Sequence, residues 1–401
     1  MNDKLLKISS LLLFHTSFVY LDDGSGIGRV IQAASLFLLV AILIQKRKYK
    51  LLPEFKKINK LVVFYCISLL LTSYMSNNIN MGYLDRFNLG TGDELRLSSY
   101  SLGVLQSLSV LTSFIFVEYL SSINKTKILF NTFFKISFFY IILSDIMFLA
   151  IGTSGQEGYL IGNKFSLCYM HIYCYIFYIV SSLKKQVNPN KIIRRILIIM
   201  TVIISILSEC TTTLLGIFMI VSLLNHRKGF GRTLFKIKTY LFILFIGVLF
   251  IFFYNIILDI EFVQYFIVNV LHEDLTLTGR TDIYDSLLPV IFMRPLLGFG
   301  VGNAHWILAY LLNVANAQNG LVNLYIEEGL IGTVLYLFIF IAIFKYIKER
   351  IPFNMTYPIL CCIMLFFFLG LVEITIDNKL LIVISFLLAY DYNKLVPYAK
   401  N

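Results

Sequence analysis

Charge is what this sequence has little of. Asp, Glu, Lys and Arg make up 14% of its 401 residues, against about a quarter in an average soluble domain. So few charges cannot solvate a globular surface, and with 58% hydrophobic residues and a mean hydropathy of +0.80 the soluble class is excluded. The chain reads as an integral membrane protein. Other scarcities narrow it further. The six cysteines, Cys66, Cys168, Cys174, Cys210, Cys361 and Cys362, stand in or beside apolar runs, with no pair at metal-ligand spacing on a polar loop. They read as small packing residues, and no metal site is expected. No small-residue cleavage site precedes Asp22-Asp23, so the first apolar run reads as a membrane span rather than a removable signal. No nucleophilic Ser or Cys constellation is visible. Acidic residues are fewer than basic ones, 23 against 34. The resulting net charge of +11 lies mostly in short loops, where membrane topology and anionic headgroups account for it, so nucleic-acid binding is set aside.

Crossing about 30 Å of hydrocarbon takes about 20 apolar residues. About twelve runs qualify, centred near residues 12, 37, 67, 110, 140, 173, 201, 218, 245, 332, 365 and 385. Taking alternate loops, one side receives 27 Lys and Arg residues and the other 7. Basic loops stay cytoplasmic, so both termini are expected inside and the stretch that begins at Leu275 outside. The expectation is an all-α polytopic membrane protein in three parts. Residues 1–256 carry about nine spans, 257–319 form a large external loop, and 320–401 carry about three more.

A few polar residues interrupt the spans. Asp145 should face a cavity or a partner, lie near the surface, or be neutral, because a carboxylate at mid-bilayer costs about 2.5 to 3.5 kcal/mol. His171 reads as a hydrogen-bonded packing residue, or as one sharing a helix face with Lys164. Ser208-Glu209-Cys210-Thr211-Thr212-Thr213 reads as a tight external turn, since three β-branched residues in a row are poor helix material. Glu209, Glu373 and Asp377 can all approach the outer mouth of a cavity. Residues 76–100 balance acids and bases, which suits a solvated loop or a cover in which Arg86 or Arg96 folds over an anion.

Polar chemistry concentrates between Leu275 and Gly332. Ile283, Leu287, Leu288 and Ile291 recur at helical spacing, predicting a short amphipathic interfacial helix that Pro295 should end. Gly298-Phe299-Gly300-Val301-Gly302 lacks the strand and helix of a nucleotide-binding unit. Its glycines can let backbone N–H groups form an anion-binding concavity, or merely allow a turn to pack. Arg280 and Arg294 can supply forked, permanently charged donors to a diphosphate. His305, Glu327 and Glu328 are the candidate proton acceptors.

The order Gly279-Arg280, Tyr284, Pro295-Leu296-Leu297-Gly298-Phe299-Gly300, Gln318-Asn319 and Glu328-Gly329-Leu330-Ile331-Gly332 resembles the signature of the O-antigen polymerase and ligase superfamily. The resemblance covers about 60 residues. It implies an all-helical, GT-C-like membrane glycosyltransferase without cofactor or metal. Its substrates would be undecaprenyl-diphosphate-linked oligosaccharides as donor and acceptor, in contact with membrane lipids, with a flippase and a chain-length regulator as possible partners. Arg280 inherits the diphosphate contact, and Arg294, Tyr284, Gly298, Gly300, Gln318, Asn319 and Glu209 complete the expected binding set. Two departures count against the ligase branch. Gln318 stands where ligases have histidine and cannot take a proton at neutral pH, and Thr211-Thr212-Thr213 stand where ligases tend to have an arginine. A repeat-unit polymerase is therefore expected, with a ligase or a lipid-linked oligosaccharide flippase as alternatives.

Overall fold

Residues 2–19, 27–45, 55–76, 100–151, 160–265, 268–269, 280–314, 316–351 and 353–390 are described by the computed structural model. No strand occurs among them. The helices of the first half are α1 (Asp3–Phe18), α2 (Ile27–Gln45), α3 (Lys56–Ser76), α4 (Tyr100–Ser122), α5 (Thr126–Ile151), α6 (Lys164–Lys184) and α7 (Lys191–Leu207). Then come α8 (Thr211–Asn225), α9 (Arg227–Leu234), α10 (Ile237–Leu258), α11 (Glu261–Tyr265), α12 (Arg280–Met293) and α13 (Ala304–Leu312). The chain continues with α14 (Gly320–Arg350), α15 (Phe353–Leu369) and α16 (Asn378–Ser385), and a 3-10 turn follows over Phe386–Leu388. Each of the twelve apolar centres read from the sequence falls inside a helix. Among the described residues five helices, α3, α4, α5, α6 and α14, are long and apolar enough to cross a membrane, and shorter apolar stretches lie in α2, α8, α10, α15 and α16.

The centre of the bundle is α6, with 78% of its apolar window buried against 33% for α5. Aromatic rings lock it to its neighbours. Phe133 of α5 lies 5.3 Å from Phe177 of α6, 5.4 Å from Phe386 and 5.9 Å from Phe18 of α1, each edge to face, the geometry that ring quadrupoles favour. Many buried hydroxyls bond back to their own helix, as Ser10 does to Leu6 O at 2.8 Å and Ser113 to Ser109 O at 2.6 Å. That satisfies polar groups where lipid offers none. Asp145 finds a partner: its Oδ1 lies 3.1 Å from Nε2 of His171, whose ring is buried.

The basic helix ends gather at one end of the bundle. Lys125 pairs with Asp3 at 3.3 Å, Lys185 donates to Asn131 at 2.6 Å, and Arg194 donates to Asn225 at 3.4 Å. Arg227 lies over the Phe353 ring, and Phe55 packs against Tyr346. At the opposite end the N–H of Gly320 donates to Gly370 O at 2.8 Å, and Tyr74 meets Tyr100. The Ser208 to Thr213 stretch is tighter than expected. Its turn is confined to Ser208–Cys210, with Glu209 at φ 53°, and all three threonines enter the first turn of α8. β-Branching restricts χ1 but costs only tenths of a kcal/mol, and the buried Thr213 hydroxyl lies 3.2 Å from Cys210 Sγ.

A second, smaller core positions the candidate site. Ile251 and Tyr254 of α10, Ile283, Tyr284, Leu287 and Val290 of α12, Ile307, Leu308 and Leu311 of α13, and Val322 and Ile326 of α14 form it around Phe299. The apolar stripe of α12 is thus covered by protein, while Phe292 on its other side is 70% exposed. The helix stops at Met293, two residues before Pro295.

Candidate functional site: a clasped break in a membrane helix

Helix α14 starts on Asn319, whose Oδ1 accepts from Leu321 N and Val322 N, both at 3.1 Å. It is broken at Gly329, where φ is 66° and ψ is −171°, a conformation essentially confined to glycine. A break leaves N–H and C=O groups without helical partners, which a lipid environment punishes. The segment Pro295–Gly300 supplies the partners. Leu330 N donates to Pro295 O at 2.8 Å and Ile331 N to Leu296 O at 3.2 Å, while Phe299 N and Gly300 N donate to Ile326 O and Glu327 O, each at 2.8 Å. Gly298, at φ 65°, packs so closely that an added Cβ would lie 2.6 Å from both Glu327 O and Gly329 N. The Pro-Leu-Leu-Gly-Phe-Gly and Glu-Gly-Leu-Ile-Gly motifs are therefore two halves of one clasp.

This gives the glycine turn a different occupation from a nest for a free anion. Its amides are spent inside the protein: Gly298 N on Arg294 O at 3.0 Å, Phe299 N and Gly300 N on the break, and Val301 N on Ser73 Oγ at 3.4 Å. The carboxylate that the turn holds belongs to the chain. Glu327 accepts from the backbone N–H groups of Gly302 and Ala304 and from the Asn323 side chain. Gly298 and Gly300 thus shape the site, and none of these amides is left over for a ligand.

Glu328 points the other way and is fully buried. Its Oε1 accepts from the Tyr65 hydroxyl at 2.8 Å, and that hydroxyl also lies 2.7 Å from Asn378 Oδ1. Its Oε2 has no hydrogen-bond partner among the described residues. Tyr65 comes from α3 and Asn378 from α16, so the break ties the first third of the chain to its last helix.

Arg294 stands just before the clasp, half-buried, with its guanidinium 5.8 Å from the centre of the Phe299 ring. Nη1 is buried and without a hydrogen-bond partner, and neither ion pair found among the described residues involves this arginine. Burial pulls the Arg294 pKa below its ordinary value. Among the described residues no carboxylate compensates this cation.

The other expected site residues fall around this pair of features. His305 is exposed in the first turn of α13, edge-on to Trp306 at 5.1 Å. Tyr284 is 2% exposed, packs on Tyr254 at 5.5 Å and donates to Gln318 O at 3.1 Å. It therefore holds the chain that carries Gln318, at φ 49°. Asn319 uses its oxygen in the cap and its NH2 on Leu371 O at 3.1 Å and Gly247 O at 3.4 Å, which makes it a structural residue in this arrangement. Glu209 is exposed on the α7–α8 turn, which packs on α6 and α15 rather than forming part of the clasp. Arg280 is the first residue of α12, and its side chain lies outside the described residues, as do Thr278-Gly279, Arg86 and Arg96. Tyr65, Ser73, Asn323 and Asn378 were not singled out by sequence reasoning. Tyr65 and Asn323 stand in apolar runs, Ser73 follows Thr72, and Asn378 lies between Asp377 and Lys379; none belongs to a recognised motif, and only the fold brings them to the break. No group of three or more His, Cys, Asp or Glu able to hold a metal occurs among the described residues.

What fold and site define together is an all-helical membrane protein with a clasped helix break, a buried and a half-buried carboxylate side by side, and an arginine with no counter-ion among the described residues, at the end opposite its basic loops. No protein-family model matches the chain, and no curated protein does either.

Proposed function

We propose that the protein is a polysaccharide polymerase. It would join undecaprenyl-diphosphate-linked oligosaccharide repeat units on the outer face of the cytoplasmic membrane, with about twelve membrane helices in a GT-C-like architecture. The observation that supports the reading best is Arg294, a half-buried guanidinium with an unspent donor and no described counter-ion, beside the clasp at the end away from the basic loops. A diphosphate offers paired oxygens that a planar fork can meet with two parallel bonds.

In the proposed reaction the acceptor's hydroxyl oxygen attacks the anomeric carbon of the donor. The bond from that carbon to the diphosphate oxygen breaks, and the lipid diphosphate leaves as an anion held by Arg294 and Arg280. The hydroxyl proton passes to His305, which is exposed where an acceptor would arrive, or to Glu327. These are positioning and electrostatic tasks. A flippase would supply the substrate, and a chain-length regulator would act beside the enzyme.

The test uses purified protein and lipid-linked repeat units. A charge-assisted bond is worth roughly 1.5 to 3 kcal/mol, so Arg294→Lys and Arg280→Lys should each slow polymer formation by about ten- to a hundredfold at unchanged abundance and melting temperature. Full activity in both variants would overturn the diphosphate role. One observation favours a second reading. Transporters place broken helices at their substrate sites, and α14 is broken. The clasp, however, uses up the backbone groups at the break. Translocation of lipid-linked repeats without any change in their length would select that alternative.

A further inference from the structure

A cavity of about 120 Å³ opens at the basic end of the bundle, remote from the clasp. The C-terminal ends of α6 and α8 and the N-terminal ends of α7 and α15 meet there, and Ile179, Leu183, Arg194, Leu224, Arg227 and Tyr357 contribute to its wall. Two guanidiniums enter this wall and no carboxylate does. Arg194 spends Nη2 on the Tyr175 hydroxyl at 3.3 Å and on Asn225 Oδ1 at 3.4 Å, while its buried Nε has no hydrogen-bond partner. Arg227 lies over two rings, 4.9 Å from the centre of Phe353 and 5.5 Å from that of Tyr357. Stacking occupies the face of a guanidinium and leaves its in-plane N–H donors available for a planar or tetrahedral anion. Lys184, Lys185, Lys191 and Arg195 follow on the same helix ends and deepen the positive field.

Size and place restrict the ligand. Pockets for whole small molecules run from about 300 to 1,000 Å³, and at about 120 Å³ this cavity is smaller. It suits a single phosphate group with its ester oxygens. The cavity opens where apolar helices end, and Ile179, Leu183 and Leu224 give it an apolar wall against which glycerol and the start of an acyl chain can lie. Two arginines with no acidic neighbour in the wall disfavour a zwitterionic headgroup, whose ammonium would enter a cationic field. We propose that this cavity binds the phosphodiester of an anionic phospholipid from the leaflet at the basic end. Basic pockets between membrane helices recognise lipid headgroups through this chemistry.

The experiment uses the full chain, purified and delipidated in detergent, and reads its melting temperature with added phosphatidylglycerol, phosphatidylcholine or inorganic phosphate. Phosphatidylglycerol should raise the melting temperature by a few degrees in a dose-dependent way, as a ligand of the folded state does. Phosphatidylcholine and phosphate at equal concentration should not. Arg194→Gln combined with Arg227→Gln should weaken the apparent affinity by about ten- to a hundredfold. An equal shift with phosphatidylcholine, an equal shift with phosphate alone, or an undiminished shift in the double variant would each overturn the proposal. Should the double variant fail to fold, native mass spectrometry of the wild-type protein decides. Preferential retention of phosphatidylglycerol adducts supports the site, and equal retention of both lipids overturns it.

Discussion

At the scale of single residues, the polar side chains of the membrane helices divide by whether they have a partner. His171 and Asp145 have each other, at 3.1 Å. An isolated carboxylate at mid-bilayer costs about 2.5 to 3.5 kcal/mol, so the pair's value lies chiefly in what removing one member leaves behind. His171→Leu should lower stability by about 1 to 3 kcal/mol, the usual penalty for stranding a buried polar group. Asp145→Leu combined with His171→Leu should recover most of that loss, because apolar pairs of similar size replace buried polar pairs at little cost. Thermal melts of the two variants in detergent check this, and a double variant less stable than the single would refute it. The apolar run around Asp145 left a cavity, a partner, the surface and a neutral state open, and the structure supplies a partner. That the partner is His171 was not legible, because a separation of 26 residues has no periodic signature and depends on how α5 packs against α6.

At the scale of elements, α14 carries the argument. The sequence places an apolar run centred near residue 332, and only the backbone at Gly329 reveals that the helix there is broken in two. The order of the motifs marked this stretch as special and left its glycines two roles, an anion-binding concavity or a turn that packs, and in the structure their amides close a helix break. The short-range code contained the turn but not its partner, since the clasp joins residues about 30 positions apart through main-chain atoms that any sequence carries. Gly329→Ala should therefore be severe. It forces an L-residue into a strained conformation worth about 1 to 3 kcal/mol and drives Cβ into the backbone of Leu296. Gly229→Ala in α9, where an added Cβ meets nothing within 4 Å, is the matched control and should be neutral or slightly stabilising. Yield of folded protein and melting temperature compare the two, and a Gly329→Ala protein as stable as Gly229→Ala would remove the break from the account.

At the scale of the whole molecule, the segregation of basic helix ends is what the loop charges had already indicated. Composition and periodicity reveal such large-scale order because lipid leaves few ways to satisfy a backbone. Side-specific labelling tests which way the molecule faces. All six native cysteines are buried, so a cysteine-free background should be attainable. A cysteine at the exposed position 228 should react with an impermeant reagent only after permeabilisation, and one at the exposed position 305 should react in intact cells. The reverse pattern would invert the topology.

The clasp also dictates an order of events during synthesis. Pro295–Gly300 leaves the ribosome before Gly329 exists, so for some thirty residues of translation its carbonyls and amides have only water or the membrane interface as partners. The upper half of α14, for its part, cannot settle into the bilayer with its broken ladder until that waiting segment closes over it. The latch would then close only after Ile331 has been made, with α15 and α16 still to follow, and chains truncated ahead of Gly320 should remain in the membrane as open intermediates, prey to quality-control proteases however well their earlier helices have packed.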